Sequence, residues 1–325
     1  MKTIKDIAKL AGVSTMTISR YFSAPEKLNI HTREKIKVLV NKYHYSPNVI
    51  AKSLITKKSG LIGVVVPDIR NPFFAQLYYR LETILEPKGY SLMLCNSKED
   101  AKKERDFLRL LISRQVEGII LIPVFRENVE SLIKRRKKFV LVERLVGSIQ
   151  ANMVSSAHYK GAYMAVEHLI NLGHRNIAVL CGDTKLTPYR DRLQGYYDAL
   201  KTYGIPLRKE LVCESAINIE SAEYSILNLI RKDQGISSVF SCNNLMSLGA
   251  INAIYESNLK IPENISFAAF DELPGIEYLI PSMTCVQQNS AMLAEIAVDL
   301  LMNQISKEES IPEQIEVPVT LKKGI

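Results

Sequence analysis

From residue 61 onward, short apolar runs alternate with amphipathic stretches, and this alternation narrows the fold more than any other feature of the chain. Leu61–Val66 is an apolar run closed by Pro67-Asp68. Residues 73–86 follow with helical spacing and end before Gly89. Residues 91–94 and 98–114 repeat the pair, and 118–122 and Phe139–Val142 are two more strands with a helix between them. A second set opens with a helix over about 160–172. Its strands are expected near 177–180, 238–242 and 265–270, its helices near 191–203, 221–231 and 245–257. Strands apolar on both faces belong in parallel sheets covered by helices. Two such sets predict an α/β fold of two lobes, each a doubly wound parallel sheet. Ligands then bind beyond the carboxyl ends of the strands, in the cleft between the lobes.

What precedes residue 61 is of another kind. Residues 1–60 hold twelve basic and three acidic residues, a net +9, while the rest of the 325-residue chain stands at −1. A basic segment on a neutral body points to nucleic acid; a solvated basic surface is the plain alternative. Thr3-Ile4-Lys5-Asp6 reads as a capping box, Ile7, Ala8, Leu10 and Ala11 continue an apolar face, and Gly12 ends the helix. Ser14 caps a second helix over residues 15–22, with Ile18 and Phe22 four apart. Two helices about a short glycine turn form a helix-turn-helix. The second turns Thr15, Met16, Thr17, Ser19 and Arg20 outward: hydroxyls that reach bases or phosphates, and an arginine that reads guanine. A third helix is expected from a Thr32 cap to about Tyr43, burying Ile36, Leu39 and Val40.

The string from Thr3 to Arg20 closely resembles the head of the LacI/GalR family of bacterial repressors. So do Tyr43-His44-Tyr45-Ser46-Pro47-Asn48 and Ala51-Lys52-Ser53-Leu54, and the resemblance runs to the C-terminus. Tyr21-Phe22-Ser23 departs from the family's smaller aliphatic pair and asparagine, which bears on DNA sequence preference. The resemblance implies a DNA-binding set of Ser14, Thr15, Met16, Thr17, Ser19, Arg20, Tyr45, Lys52 and Leu54. It implies a helix-turn-helix head over 1–46 and a hinge helix and linker over 47–60. Body 61–325 is then a periplasmic-binding-protein-like effector and dimerisation module. Lobe one is expected over about 61–156 plus about 286–313, and lobe two over about 157–285 plus the C-terminal end. Hinge residues 47–54 are too few for a helix alone. In the family two such helices pair in the minor groove and wedge in a leucine, the position Leu54 matches.

In the cleft the resemblance implies Arg192 and Asp271 as effector ligands, and position and side-chain chemistry add Phe73, Asn243 and His158 to the candidate effector set. Asp271 and Asn243 follow strands, and Arg192 lies in Arg192-Leu193-Gln194-Gly195-Tyr196. Together they suit vicinal hydroxyls, and the aromatic suits stacking on a ring. Helix capping is the structural alternative for Asp271, and core packing for Phe73 and, above all, Phe74. Sugar-binding relatives often carry Asp-Asn where this chain has Ala157-His158. His158 either meets a phosphate or carboxylate or caps the helix after it.

No run of about 18 apolar residues is present, and Met1–Asp6 has no apolar signal region. Five cysteines stand singly, none at CxxC spacing, which excludes a disulfide framework and gives no metal site. No phosphate-binding P-loop, nucleophile elbow or paired-histidine motif marks an enzyme or a cofactor. The expectation is a cytoplasmic, nucleoid-associated homodimeric regulator, most simply a repressor. Its partners are double-stranded operator DNA and a small effector, with no membrane. A solute-binding protein of the same fold is the rival; it calls for a signal peptide and no basic head.

Overall fold

The computed structural model describes residues 2–45, 59–232, 235–306 and 311–324. The chain divides into two compact units, residues 1–59 and 60–325.

The first unit is helical. Helix Ile4–Ala11 is capped by Thr3, whose Oγ1 accepts the Asp6 N–H at 3.3 Å while Asp6 Oδ2 accepts the Thr3 N–H at 2.8 Å. Gly12 closes it at φ +68°. Helix Thr15–Ser23 starts at a Ser14 cap. The third helix, Ile30–Lys42, begins earlier than its sequence suggested: Asn29, not Thr32, is the cap, and its Oδ1 accepts the Thr32 N–H at 2.8 Å. Ile7, Ala8, Ala11, Ile18 and Ile36 are buried, with Leu39, Val40 and Tyr45 half-buried around them.

The second unit holds two six-stranded sheets. The first comprises β1 (Leu61–Val66), β2 (Ser91–Asn96), β3 (Gly118–Leu121), β4 (Phe139–Val142), β5 (Met153–Ser156) and β11 (Gln314–Val317), in the order β11-β5-β4-β3-β1-β2. All its pairings are parallel. The second comprises β6 (Ile177–Cys181), β7 (Val212–Glu214), β8 (Ser238–Ser241), β9 (Ser266–Phe270), β10 (Thr284–Gln287) and β12 (Thr320–Lys322), in the order β12-β10-β9-β8-β6-β7. Only β12 runs antiparallel there, against β10. The doubly wound, two-lobed α/β fold read from the sequence is what forms.

Helices fill both faces. Pro72–Leu85 and Ser290–Ser306 pack together on the first sheet; His158–Asn171 and Thr187–Thr202 pack together on the second. The last pair approach so closely that a Cβ on Gly195 would lie 2.5 Å from the Tyr159 carbonyl oxygen. The chain passes between the lobes three times: after β5, after β10, and after β11. The last passage falls at Pro318-Val319, a few residues beyond the expected 313. Helix Arg126–Lys134 ends in a double hydrogen bond, Lys137 N–H to Leu132 O and Arg136 N–H to Ile133 O. Arg136 there sits at φ +48°, a left-handed position that costs a non-glycine residue about 1 kcal/mol.

Candidate functional site

In the helical unit the second helix offers its outer face. Ser14, Thr15, Met16, Ser19 and Arg20 are exposed, Met16 by 69%. An exposed methionine on a nine-residue helix has no structural duty, so this face is free for contact. Thr17 is the exception to the expected outward set. It is half-buried, and its Oγ1 lies 3.0 Å from Ser14 Oγ, which also accepts the Thr17 N–H. Those two hydroxyls are spent on starting the helix. Tyr45 is half-buried against Phe22, ring centroids 6.0 Å apart, so it props the helical core as much as it faces outward. Lys52, Leu54 and residues 47–58 of the hinge and linker lie outside the described residues.

In the larger unit the carboxyl ends of the strands meet in a cleft. Arg192, on helix Thr187–Thr202, is 4% exposed. Its guanidinium stacks 3.6 Å from the Phe270 ring centroid. Nη1 donates to the Cys242 carbonyl at 2.5 Å, and Nη2 lies 3.1 Å from His158 Nδ1. An arginine can only donate, so His158 Nδ1 accepts from it, which leaves Nε2 turned toward lobe one. That nitrogen is 3.2 Å from Glu143 Oε2, off the line of a good hydrogen bond. Glu143 Oε1 accepts the Ser156 N–H at 2.8 Å and its hydroxyl at 2.9 Å. Glu143 follows β4 in lobe one; His158 and Arg192 belong to lobe two. The chain Glu143–His158–Arg192 thus ties the lobes together out of water. Leu145 N–H donating to Thr187 Oγ1 at 3.0 Å is a second tie. His158 is the first residue of its helix, after an Ala157 N-cap, so it does not act as the cap.

The other expected residues surround this chain. Asp271 follows β9 at φ +80°, caps no helix, and accepts from Gln288 Nε2. Asn243 caps helix Asn244–Glu256 through Oδ1 on the Leu245 N–H at 2.9 Å, leaving Nδ2 to reach the Tyr189 hydroxyl at 3.3 Å. Phe73 and Phe74 are both 7% exposed and edge-to-face at 5.4 Å, and both border the cleft. Arg144, beside Glu143, forks onto Glu99 with two bonds of 2.8 Å and lies 6.0 Å from the Phe74 ring.

Burial alone would raise the Glu143 carboxyl; His158, Arg192 and Ser156 outweigh it and hold Glu143 below its ordinary value. Asp271 goes the other way, raised by burial despite Arg192 and Gln288. These side chains leave an inner cavity of about 20 Å³, room for one water. A wider cavity of about 760 Å³ opens beside it, along Gln76, Arg80, Glu272 and residues 287–291; Phe73, Asp271 and Gln288 border both. Arg192, His158, Asn243, Asp271 and Phe73 are therefore brought together. Glu99, Glu143, Arg144, Tyr189 and Gln288 were not read from the sequence. Glu143-Arg144 stands just past a strand, the same position that marked Asp271 and Asn243.

Known proteins share this construction. Residues 3–48 match the family model described as bacterial regulatory proteins, lacI family, and residues 59–324 that described as periplasmic binding proteins and sugar binding domain of LacI family. The HTH-type transcriptional repressor PurR of Glaesserella parasuis is 30% identical over 99% of this chain and 95% of its own. That of Haemophilus influenzae is 28% identical over 98% and 96%. Among solved structures, the Lac repressor dimer bound to operator and the anti-inducer ONPF is similar over 99% of this chain and 98% of that one, with TM-score 0.86 and 25% identity. A LacI family transcriptional regulator from Enterococcus faecium with bound ribose covers 81% of this chain and 97% of its own, with TM-score 0.72 and 28% identity.

Proposed function

This chain belongs to the LacI family of bacterial regulatory proteins, a DNA-binding transcriptional regulator, and we propose that a small polar effector in the interlobe cleft controls its hold on operator DNA. The observation that carries this is the buried Glu143–His158–Arg192 chain between the lobes. The wider cavity of about 760 Å³ has room for a sugar-sized molecule, but the inner one of about 20 Å³, where Arg192 and Asn243 lie, does not. An effector that enters the inner one must displace these side chains and so selects a different lobe arrangement. Only a ligand that binds one arrangement better than the other shifts the balance. Asp271, Asn243, Arg192 and Gln288 offer it acceptors and donors, and Phe73 an apolar wall. A sugar, sugar phosphate or related metabolite fits that chemistry. The Enterococcus faecium relative with ribose and the Lac repressor with ONPF support the choice.

The regulator works as a homodimer, most simply a repressor, with a head over 1–46, a hinge over 47–60 and no catalysis. Among the described residues no helix is long and apolar enough to cross a membrane, and we place the protein in the cytoplasm with the nucleoid. Ser14, Thr15, Met16, Ser19 and Arg20 face DNA, and Leu54 enters the minor groove. A thermal-shift screen of sugars, sugar phosphates and nucleobases finds the effector, since a ligand specific to the folded state raises Tm. Arg192→Ala and Asp271→Ala then each lose effector binding in calorimetry while remaining folded. Unchanged affinity in both variants would place the effector elsewhere.

A further inference from the structure

Over residues 60–325 the longest unbroken run of basic residues lies at one turn, from Lys134 to Lys138. Lys134, Arg135, Arg136 and Lys137 follow one another between helix Arg126–Lys134 and β4, and all four are exposed. None has an ion pair or side-chain hydrogen bond with a described residue; the nearest acid on that helix, Glu130, already holds Arg126 at 2.8 Å. Lys138 differs, since its Nζ donates to the Ile305 carbonyl at 2.9 Å and so pins the turn to helix Ser290–Ser306. The double hydrogen bond at the helix end fixes the backbone. Four cations without a described partner are thus held on a rigid loop.

Where the loop sits decides what it meets. The strands of the first sheet are all parallel, so their amino ends share one edge and their carboxyl ends, with the cleft, the other. The turn runs straight into Phe139, the amino end of β4. β1 begins at Leu61, where the chain arrives from the DNA-binding head, and only β3 separates it from β4. At about 4.8 Å per strand, the turn is roughly 10 Å across the sheet from that arrival point. Lys88 and Arg114, each just ahead of a strand, lie at the same edge. So does Glu117, whose Oε1 is engaged by the Gly60 N–H at 2.7 Å. Of the residues flanking the turn only Ile133 is exposed and apolar, too little for the buried centre of a protein interface.

We propose that this turn is a second DNA-binding element, in which Lys134, Arg135, Arg136 and Lys137 bind backbone phosphates of the duplex that the head holds. Ammonium and guanidinium groups on phosphates add affinity and orientation without reading sequence. The inference rests on the DNA-binding role of the head, and its test separates the two. Full-length protein carrying Lys134→Gln, Arg135→Gln, Arg136→Gln and Lys137→Gln is titrated, beside wild type, against a duplex of about 60 base pairs selected on the wild type from a random library. Affinity at low salt should fall about tenfold or more, and the slope of log K against log salt should flatten by roughly 0.9 for each phosphate no longer neutralised. Arg20→Ala, in the same assay, should lose discrimination against random DNA but keep the turn's share of the salt slope. If the quadruple variant matches wild type in affinity and slope while Arg20→Ala loses discrimination, the turn is refuted and the head stands. If Arg20→Ala is also unaffected, the head assignment fails. Arg136→Gly guards against a merely structural role. It relieves the left-handed strain, so Tm should rise while DNA affinity falls; a rise with unchanged affinity and slope would overturn the role of Arg136 on DNA.

Discussion

Glu143→Gln withdraws one charge from a place that water does not reach. In the wild type the carboxylate faces His158 at 3.2 Å, with the Arg192 guanidinium one residue further along the chain of side chains. Both Glu143 and Arg192 are nearly unexposed. The amide oxygen of Gln can still accept from the Ser156 N–H and hydroxyl. The Arg192 guanidinium loses one of the two buried carboxylates that compensate it, Asp271 being the other. Removing one partner from a buried charge network costs about 3–5 kcal/mol. In a unit of this size each kcal/mol moves Tm by about 2–4 °C, so a fall of about 6–20 °C is expected at pH 7. The sign of the pH dependence follows from the depressed Glu143 carboxyl. Its stabilisation is present above the ordinary value of 4.5 and lost as pH falls below it, so wild type and variant should converge under acid conditions. Calorimetric unfolding measures both, and a double-mutant cycle with His158→Gln should give a coupling of about 0.5–3 kcal/mol. A Tm loss under about 2 °C, or additive single effects, would refute the lobe-bridging role.

Three further outcomes are expected. Arg20→Ala should reduce the preference for selected over random DNA by about 1–3 kcal/mol, read by competition binding. Glu104, buried and accepting from the Val124 and Phe125 N–H groups and Asn128, is pushed up to about 7 by its burial. A raised carboxyl favours the folded state at low pH, so stability should decline by up to about 3 kcal/mol from pH 4.5 to 7, a slope that Glu104→Gln should flatten in urea titrations. Gly195→Ala forces a Cβ against the Tyr159 carbonyl and should cost about 1–3 kcal/mol in thermal unfolding while leaving DNA binding at low temperature intact.

The central strands were legible because each is a continuous apolar run: Leu61–Val66 and Phe139–Val142 form as read. The strands missed are short and polar at the sheet margins. Val212–Glu214 is three residues, and Gln314–Val317 and Thr320–Lys322 alternate polar side chains toward solvent. Met153–Ser156 and Thr284–Gln287 carry too few apolar residues to stand out. The third helix starts ahead of Thr32 because Asn29 and Thr32 are both good N-caps, and Ile30, apolar yet 63% exposed, has no core partner to mark which of them opens it. In the cleft, residues that belong to a family motif could be named from sequence. Glu143 and Arg144 had only their place just past a strand, and Glu99 no mark at all: their partners lie 15, 45 and 45 residues away, and only folding brings them together.

Communication from cleft to DNA is the central claim. Its most direct test is anisotropy titration of the selected duplex with full-length protein, with and without the ligand found by thermal shift, in wild type and in Arg192→Ala. The wild-type DNA affinity should change by about tenfold or more when the ligand is saturating, a coupling of about 1.4 kcal/mol, and that of Arg192→Ala should not change. A wild type that binds the ligand yet holds DNA with the same affinity throughout would contradict it.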